Sequence, residues 1–415
     1  MIHSRPTFAL NGFIMALALC VAACSGAPLR YESPERVGFT ARAVTQEQGA
    51  FRVRAAVPGE AETERLFGLP LYEGGVQPVW LEVTNRDVHR ARLVLSSIDP
   101  DYFPPYEVAY THRRQVSGQD LPVLENYLFE QALPRQIGPG ETVSGFVFTN
   151  ASNGTKAFNV DIYSGSGVTD FEQFTFFVDV PGFVPDHAEI DFKSLYSEDN
   201  IKKLDINSLR TFLNTIPTRA SNREGTKSGR PIQSFFIAEG KDVLRALLRA
   251  GWNETSYRRD EEYLADADYL FGRPPDAIFS KGRSKTTERL EIGLWLAPAR
   301  VGEKLLWVVQ FKHALGRRFA IGDRFLGVPL DPNSTQGRDF VLQDLWYAQS
   351  IDRWAWSQSG EIVSAQTPAT DLHGNDWFSN DEYRAVIWIA GDPVALGNAE
   401  YVVWSRYPGN GGETP

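Results

Sequence analysis

The stretch Phe158-Asn159-Val160-Asp161-Ile162 alternates apolar and polar side chains without a break, and its reading decides how the first part of the chain folds. Successive side chains of a strand point to opposite faces, so strict alternation marks a strand with one face in a core. The same period recurs at Phe51, Val53 and Ala55, at Val79, Leu81 and Val83, and at Phe174, Phe176, Val178 and Val180. Asn153-Gly154 lies between the runs ending at Phe148 and beginning at Phe158, which predicts a type I′ hairpin. Several short alternating runs with turn residues between them predict an immunoglobulin-like β-sandwich over residues 36–183. Asp99–Pro139 breaks the pattern with Pro104-Pro105 and a helical spacing at Val123, Leu124, Tyr127 and Leu128. It reads as an insertion across one end of the sandwich.

Beyond Pro181-Gly182 the pattern changes. Helical spacing is expected over 206–213, 241–250 and 338–348, the second closed by Gly251 at the position that ends a helix. Strand patterns fit 232–237, 289–296, 304–312, 351–357, 383–390 and 400–406. Strands and helices mixed without strict alternation predict an α+β domain over residues 184–410.

The chain is 42% apolar and 12% aromatic, enough to bury substantial cores. Its formal charge is −10, and −11 without residues 1–23, where Arg5 is the one formally charged side chain. Such an acidic chain is unsuited to nucleic acid unless cations concentrate on one face. The one dense basic stretch, Thr218–Arg230, is also rich in Ser, Asn and Gly and reads as a solvated loop. Only Cys20 and Cys24 exist, so the remainder has no disulfide, thiolate nucleophile or cysteine-based zinc site.

Residues 1–23 read as a processing signal: Arg5 is followed by the apolar run Gly12–Ala23. That run would make a helix of roughly 18 Å, too short for a ~30 Å hydrocarbon core. Val21-Ala22-Ala23-Cys24 resembles the bacterial lipobox. The resemblance implies cleavage between Ala23 and Cys24, fatty acylation at Cys24, and a lipidated tether over residues 24–35. Ser25 in place of aspartate implies sorting to the outer membrane, with the body facing the periplasm. Two or three chains at about 0.8 kcal/mol per buried CH₂ hold a protein firmly to a bilayer.

Gly251-Trp252, Tyr269-Leu-Phe-Gly-Arg-Pro-Pro-Asp276, Leu294-Trp295, and Leu330-Asp331-Pro332 followed by Arg338 and Asp344-Leu345 occur in that order. The set, spanning about Glu239–Ser357, resembles the LssY C-terminal-like domain. The resemblance implies an envelope-associated domain with no established activity. Glu291 and Gly293 stand where the family pattern has a histidine and an arginine. The positions carried over are Arg273, Asp276, Asp331, Arg338 and Asp344, with Lys281 nearby. They suit a buried ion network, since a planar guanidinium matches carboxylates bidentately. The same chemistry would suit a phosphate or lipid headgroup, or metal-assisted hydrolysis.

Weaker candidates remain. Asp99, Asp101 and Glu107 form an acidic cluster of the kind calcium uses, without an EF-hand spacing. His187 with Glu189 and Asp191, and His373 with Asp376, place imidazole near acids. Trp354 and Trp356 share a strand face and could present a platform for sugar rings or a peptide. There is no Gly-x-Ser-x-Gly elbow, phosphate-cradling loop or dinucleotide fingerprint. The expectation is a lipid-anchored envelope protein that binds or scaffolds, with no cofactor, no metal, a membrane contact through Cys24 and an envelope protein partner. A periplasm-facing hydrolase is the alternative.

Overall fold

The alternating runs of the first half become the strands of two sheets that share one core. The structure is a computed structural model, described for residues 30–165, 170–282, 289–315, 320–321, 324–325 and 329–404; Ala23 and Cys24 lie outside these. The chain divides into two units, Met1–Ser152 with Lys156–Gly182, and Asn153–Thr155 with Phe183–Pro415. It is mixed α+β, built on several antiparallel sheets.

The first unit contains β1 (Val44–Gln48), β2 (Phe51–Ala56), α1 (Glu60–Phe67), β3 (Val76–Asn85), β4 (Ala91–Val94), α2 (Pro105–His112), α3 (Leu121–Gln131), β5 (Gln136–Ile137), β6 (Thr142–Asn150), β7 (Thr155–Ser164) and β8 (Asp170–Asp179). Its sheets run β1-β2-β3-β6 and β5-β4-β7-β8. Val53 faces Val83 and Val79 faces Val147 in the first; Leu93 faces Ile162 in the second. Val53, Leu81 and Val147 meet Leu93, Val160 and Phe176 in a single apolar cluster.

Two expectations are corrected here. Asn153-Gly154 does not close a hairpin, because β6 pairs with β3 and β7 pairs with β4. Gly154, at φ +71°, instead turns the chain from one sheet to the other. The apolar faces of β6 and β7 both enter the shared core, so the two strands belong to opposite layers. The insertion also lies elsewhere than across an end. Phe146 and Phe148, which flank the inward Val147, pack on the other side of β6 with Phe67 of α1, Val108 of α2 and Leu124 and Leu128 of α3. Three consecutive apolar residues supply both faces of a strand, and the helices cover the outer one.

The second unit is organised on a nine-stranded sheet. In chain order its elements are β9 (Lys202–Leu204), α4 (Ile206–Leu213), the ribbon β10 (Arg219–Ser221) and β11 (Ser228–Pro231), β12 (Ser234–Ile237), α5 (Gly240–Arg249), β13 (Asn253–Glu254), β14 (Ala277–Gly282), β15 (Arg289–Val301), β16 (Lys304–Ala314), α6 (Ser334–Tyr347), β17 (Ile351–Gln358), β18 (Tyr383–Ile389) and β19 (Glu400–Val402). The sheet order is β13-β14-β15-β16-β12-β18-β17-β19, with β9 beside β15. Ile292, Leu294 and Leu296 of β15 face a cluster containing Val243, Ala246 and Leu247 of α5 and Val341 and Leu345 of α6. Trp295 and Ala297 face the other side, with Leu209 and Phe212 of α4. Both helix starts are chemically defined: Asp205 accepts from the N–H groups of Asn207 and Ser208, and Asn333 from that of Gln336. Among the described residues no helix is long and apolar enough to cross a membrane.

Candidate functional site

The six charged residues expected to cluster separate into distinct places. Arg273 grips Asp276 bidentately at 2.7 and 2.9 Å just before β14. Asp276 is fully buried and also accepts the Leu296 N–H at 2.7 Å. Arg273 spends its remaining donors on the Tyr196 hydroxyl and the Leu296 carbonyl. Burial opposes the Arg273 charge, but the Asp276 carboxylate outweighs it and holds the pKa above the usual arginine value. The pair fastens the Gly272–Pro275 loop to β15.

Lys281 of β14 donates to Asp344 of α6 at 2.7 Å and to the Ala250 carbonyl at 2.6 Å, while Trp252 Nε1 donates to the other Asp344 oxygen. Arg338 of α6 is buried and forks onto Asp381 at 2.6 and 3.1 Å, with Asp339 on its Nε. Its guanidinium lies 4.6 Å from the Trp356 ring centroid. Each of these three cations is hydrogen-bonded to a carboxylate of the protein.

Asp331 stands apart, in a small cleft of about 60 Å³ lined by Arg230, Gln233, Phe311, His313, Gln336 and Phe340 among others. A bridge between Ala314 and Leu330 brings Asp331 back to the end of β16, and its N–H donates to the His313 carbonyl at 2.8 Å. His313 Nδ1 is 3.3 Å from Asp331 Oδ2. A carboxylate there favours the tautomer with the proton on Nδ1, leaving a lone pair on Nε2. That Nε2 is buried and has no hydrogen-bond partner among the described residues. Arg230, 2% exposed, donates to the Asp331 carbonyl at 2.6 Å and lies 3.5 Å from Asp371. Its Nε is buried without an acceptor among the described residues. Desolvation lowers the Arg230 pKa, opposed by the Asp371 carboxylate. Among the described residues, the walls of the cleft thus hold one unused N–H donor on a buried cation and one unused imidazole nitrogen. Ser334, at its edge, is already committed to the Phe378 carbonyl at 2.7 Å.

The sequence reading passed over His313 and Arg230. Arg230 ends the stretch taken for a solvated loop, yet β10 and β11 pair and fold it inward. His313 carried a detectable signal: it continues the alternation of Val309 and Phe311, which places it on the α6 side of the sheet.

The weaker candidates do not converge on open sites. Asp99 accepts from the Asn150 backbone and side chain, and Glu107 sits in the first turn of α2. His187 Nε2 meets the buried Glu254 at 2.5 Å, while Asp191 caps the N–H of Lys193. His373 enters through its backbone N–H, which donates to Asp371; Asp376 is exposed. Trp354 and Trp356 meet edge to face, and Trp356 is only 6% exposed under Arg338. The expected two-ring platform is thus corrected: Trp354 pairs outward with Tyr401 at 4.5 Å and with Trp346 at 6.4 Å. Among the described residues no group of three or more His, Cys, Asp or Glu side chains is placed to hold a metal ion. No protein-family model matches this chain, and no curated protein matches it.

Proposed function

We propose that this protein is a lipid-anchored component of the bacterial cell envelope, with a binding or scaffolding role rather than a catalytic one. In this reading Cys24 carries the acyl chains, at the outer membrane and facing the periplasm. An immunoglobulin-like β-sandwich is followed by an LssY C-terminal-like domain, and the partner is another envelope protein. The signal-like run before Cys24 supports the anchor. The observation that carries the non-catalytic role is the mutual saturation of Arg273 with Asp276, Lys281 with Asp344 and Arg338 with Asp381. Charges already paired with one another hold elements together and are not free to act on a substrate. The test is fractionation of Cys24→Ser: release from the membrane fraction is expected, and retention with normal processing refutes the anchor.

A second reading, a hydrolase for a phosphorylated or lipid substrate, is favoured by one observation. Among the described residues, His313 Nε2 and Arg230 Nε are both without a hydrogen-bond partner at the same cleft. There His313, oriented by Asp331, would take a proton from water, and Arg230 would hold the developing negative charge. Turnover of a phosphomonoester that disappears in His313→Gln, with folding intact, would establish it over the binding role.

A further inference from the structure

Protein interiors are packed as densely as organic crystals, with few voids larger than a water molecule. Between α5 and the sheet beneath it, however, lies a pocket of about 370 Å³ that opens on one side to solvent. Val243 and Leu244 form its α5 side, and Ala277, Phe279, Leu294 and Trp307 its sheet side. This volume is within the range of pockets that enclose a small organic ligand. The Trp307 N–H is already spent on the Ala238 carbonyl. His187 and Lys241 supply the ionisable groups of the wall. His187 Nε2 is taken by Glu254, whereas Lys241 is exposed, with no carboxylate within ion-pair distance among the described residues.

The chemistry of the wall narrows the occupant. Sugars, nucleotides and peptides need many directional hydrogen-bond partners, and burying them here would leave their polar groups unmet. An apolar cavity takes an apolar molecule. One cation at the mouth selects for a single negative charge at the end of that molecule. We infer that this cavity binds one fatty acyl chain, as a free fatty acid with its carboxylate at Lys241. The site is distinct from the cleft at Arg230 and His313, with which it shares no lining residue.

Titration of the full-length protein with octanoate, decanoate and dodecanoate, each below its micelle concentration, tests this by calorimetry. Affinity should rise about fourfold per added methylene, as burial of each CH₂ predicts. Dodecanol should bind at least tenfold more weakly than dodecanoate. Two variants separate the site from the fold. Ala277→Leu fills the space from β14 and should weaken dodecanoate at least tenfold. Lys241→Glu lies in the first turn of α5, where an acidic residue favours the helix dipole, so the helix is kept while the charge at the mouth reverses. It should remove the preference for dodecanoate over dodecanol. No saturable binding, or affinity independent of chain length, overturns the inference. So does unchanged dodecanoate affinity in a folded Ala277→Leu protein.

Discussion

Replacing Asp276 with alanine tests whether the charges singled out in the sequence are structural. The carboxylate is fully buried, accepts two hydrogen bonds from Arg273 and one from the Leu296 N–H, and has no contact with solvent. Removing one member of a buried ion pair costs about 3–5 kcal/mol, because the other charge is left uncompensated. The Arg273 side chain is 17% exposed and keeps the Tyr196 hydroxyl and Leu296 carbonyl, which puts the pair near the low end. The stranded Leu296 N–H adds about 1 kcal/mol, for a total near 4 kcal/mol. Asp276→Asn keeps one oxygen for Leu296 and should cost roughly half as much. Nine of the ten tryptophans lie in the second unit, so intrinsic fluorescence during urea unfolding reports it with little contribution from the first. A loss below about 1 kcal/mol in the alanine variant would refute the reasoning, since it would mean the pair does not hold the loop to β15.

Gly337→Ala should destabilise by about 1–3 kcal/mol even though alanine is the better helix former, because a Cβ there collides with the Phe311 ring. That ring is confined between Trp252 and Phe340, so thermal melting should show a lower midpoint, and a higher one would contradict the packing. Lys156 is buried, and desolvation lowers its pKa from 10.5 to about 8. The unfolded chain then binds the extra proton between about pH 8 and 10.5, so stability should rise with pH across that window by at most about 3 kcal/mol. Urea unfolding of Lys156→Met should lack this rise; equal pH slopes would exclude the effect. Arg384, 1% exposed, donates to the Leu213 and Pro217 carbonyls and to the Ser359 hydroxyl. Arg384→Lys cannot reach all three and should cost about 2–4 kcal/mol by chemical denaturation.

Period and punctuation were readable from the chain alone; partner choice was not. The alternation at Phe158–Ile162 falls inside β7, and the helix expected at 241–250 is found at Gly240–Arg249. Asn153-Gly154 makes a turn, as its chemistry demands, but turn chemistry does not say which sheet receives the next strand. That choice followed from the apolar faces of β6 and β7, which both had to enter one core. The charged residues show the same limit. Arg273 and Asp276 are three apart and meet locally, whereas His313 and Asp331 meet through a bridge between distant segments. Arg230 looked solvated because its neighbours in sequence are polar, and burial was imposed by the sheet it joins.

Strand β12 has a consequence for the order in which the molecule is built. Its four buried residues hydrogen-bond to β16 on one side and to β18 on the other, parallel in the second case. In the strand order of the described residues, it is the strand that joins the two halves of that sheet. A ribosome delivers β12 long before β18, so its second edge waits, unmatched, while most of the unit is still being made. Pairings between such remote segments form slowly, and an open edge meanwhile is a template for wrong partners. A short strand at the centre limits how much apolar edge stays exposed during the wait, which suits a chain whose last strands arrive late.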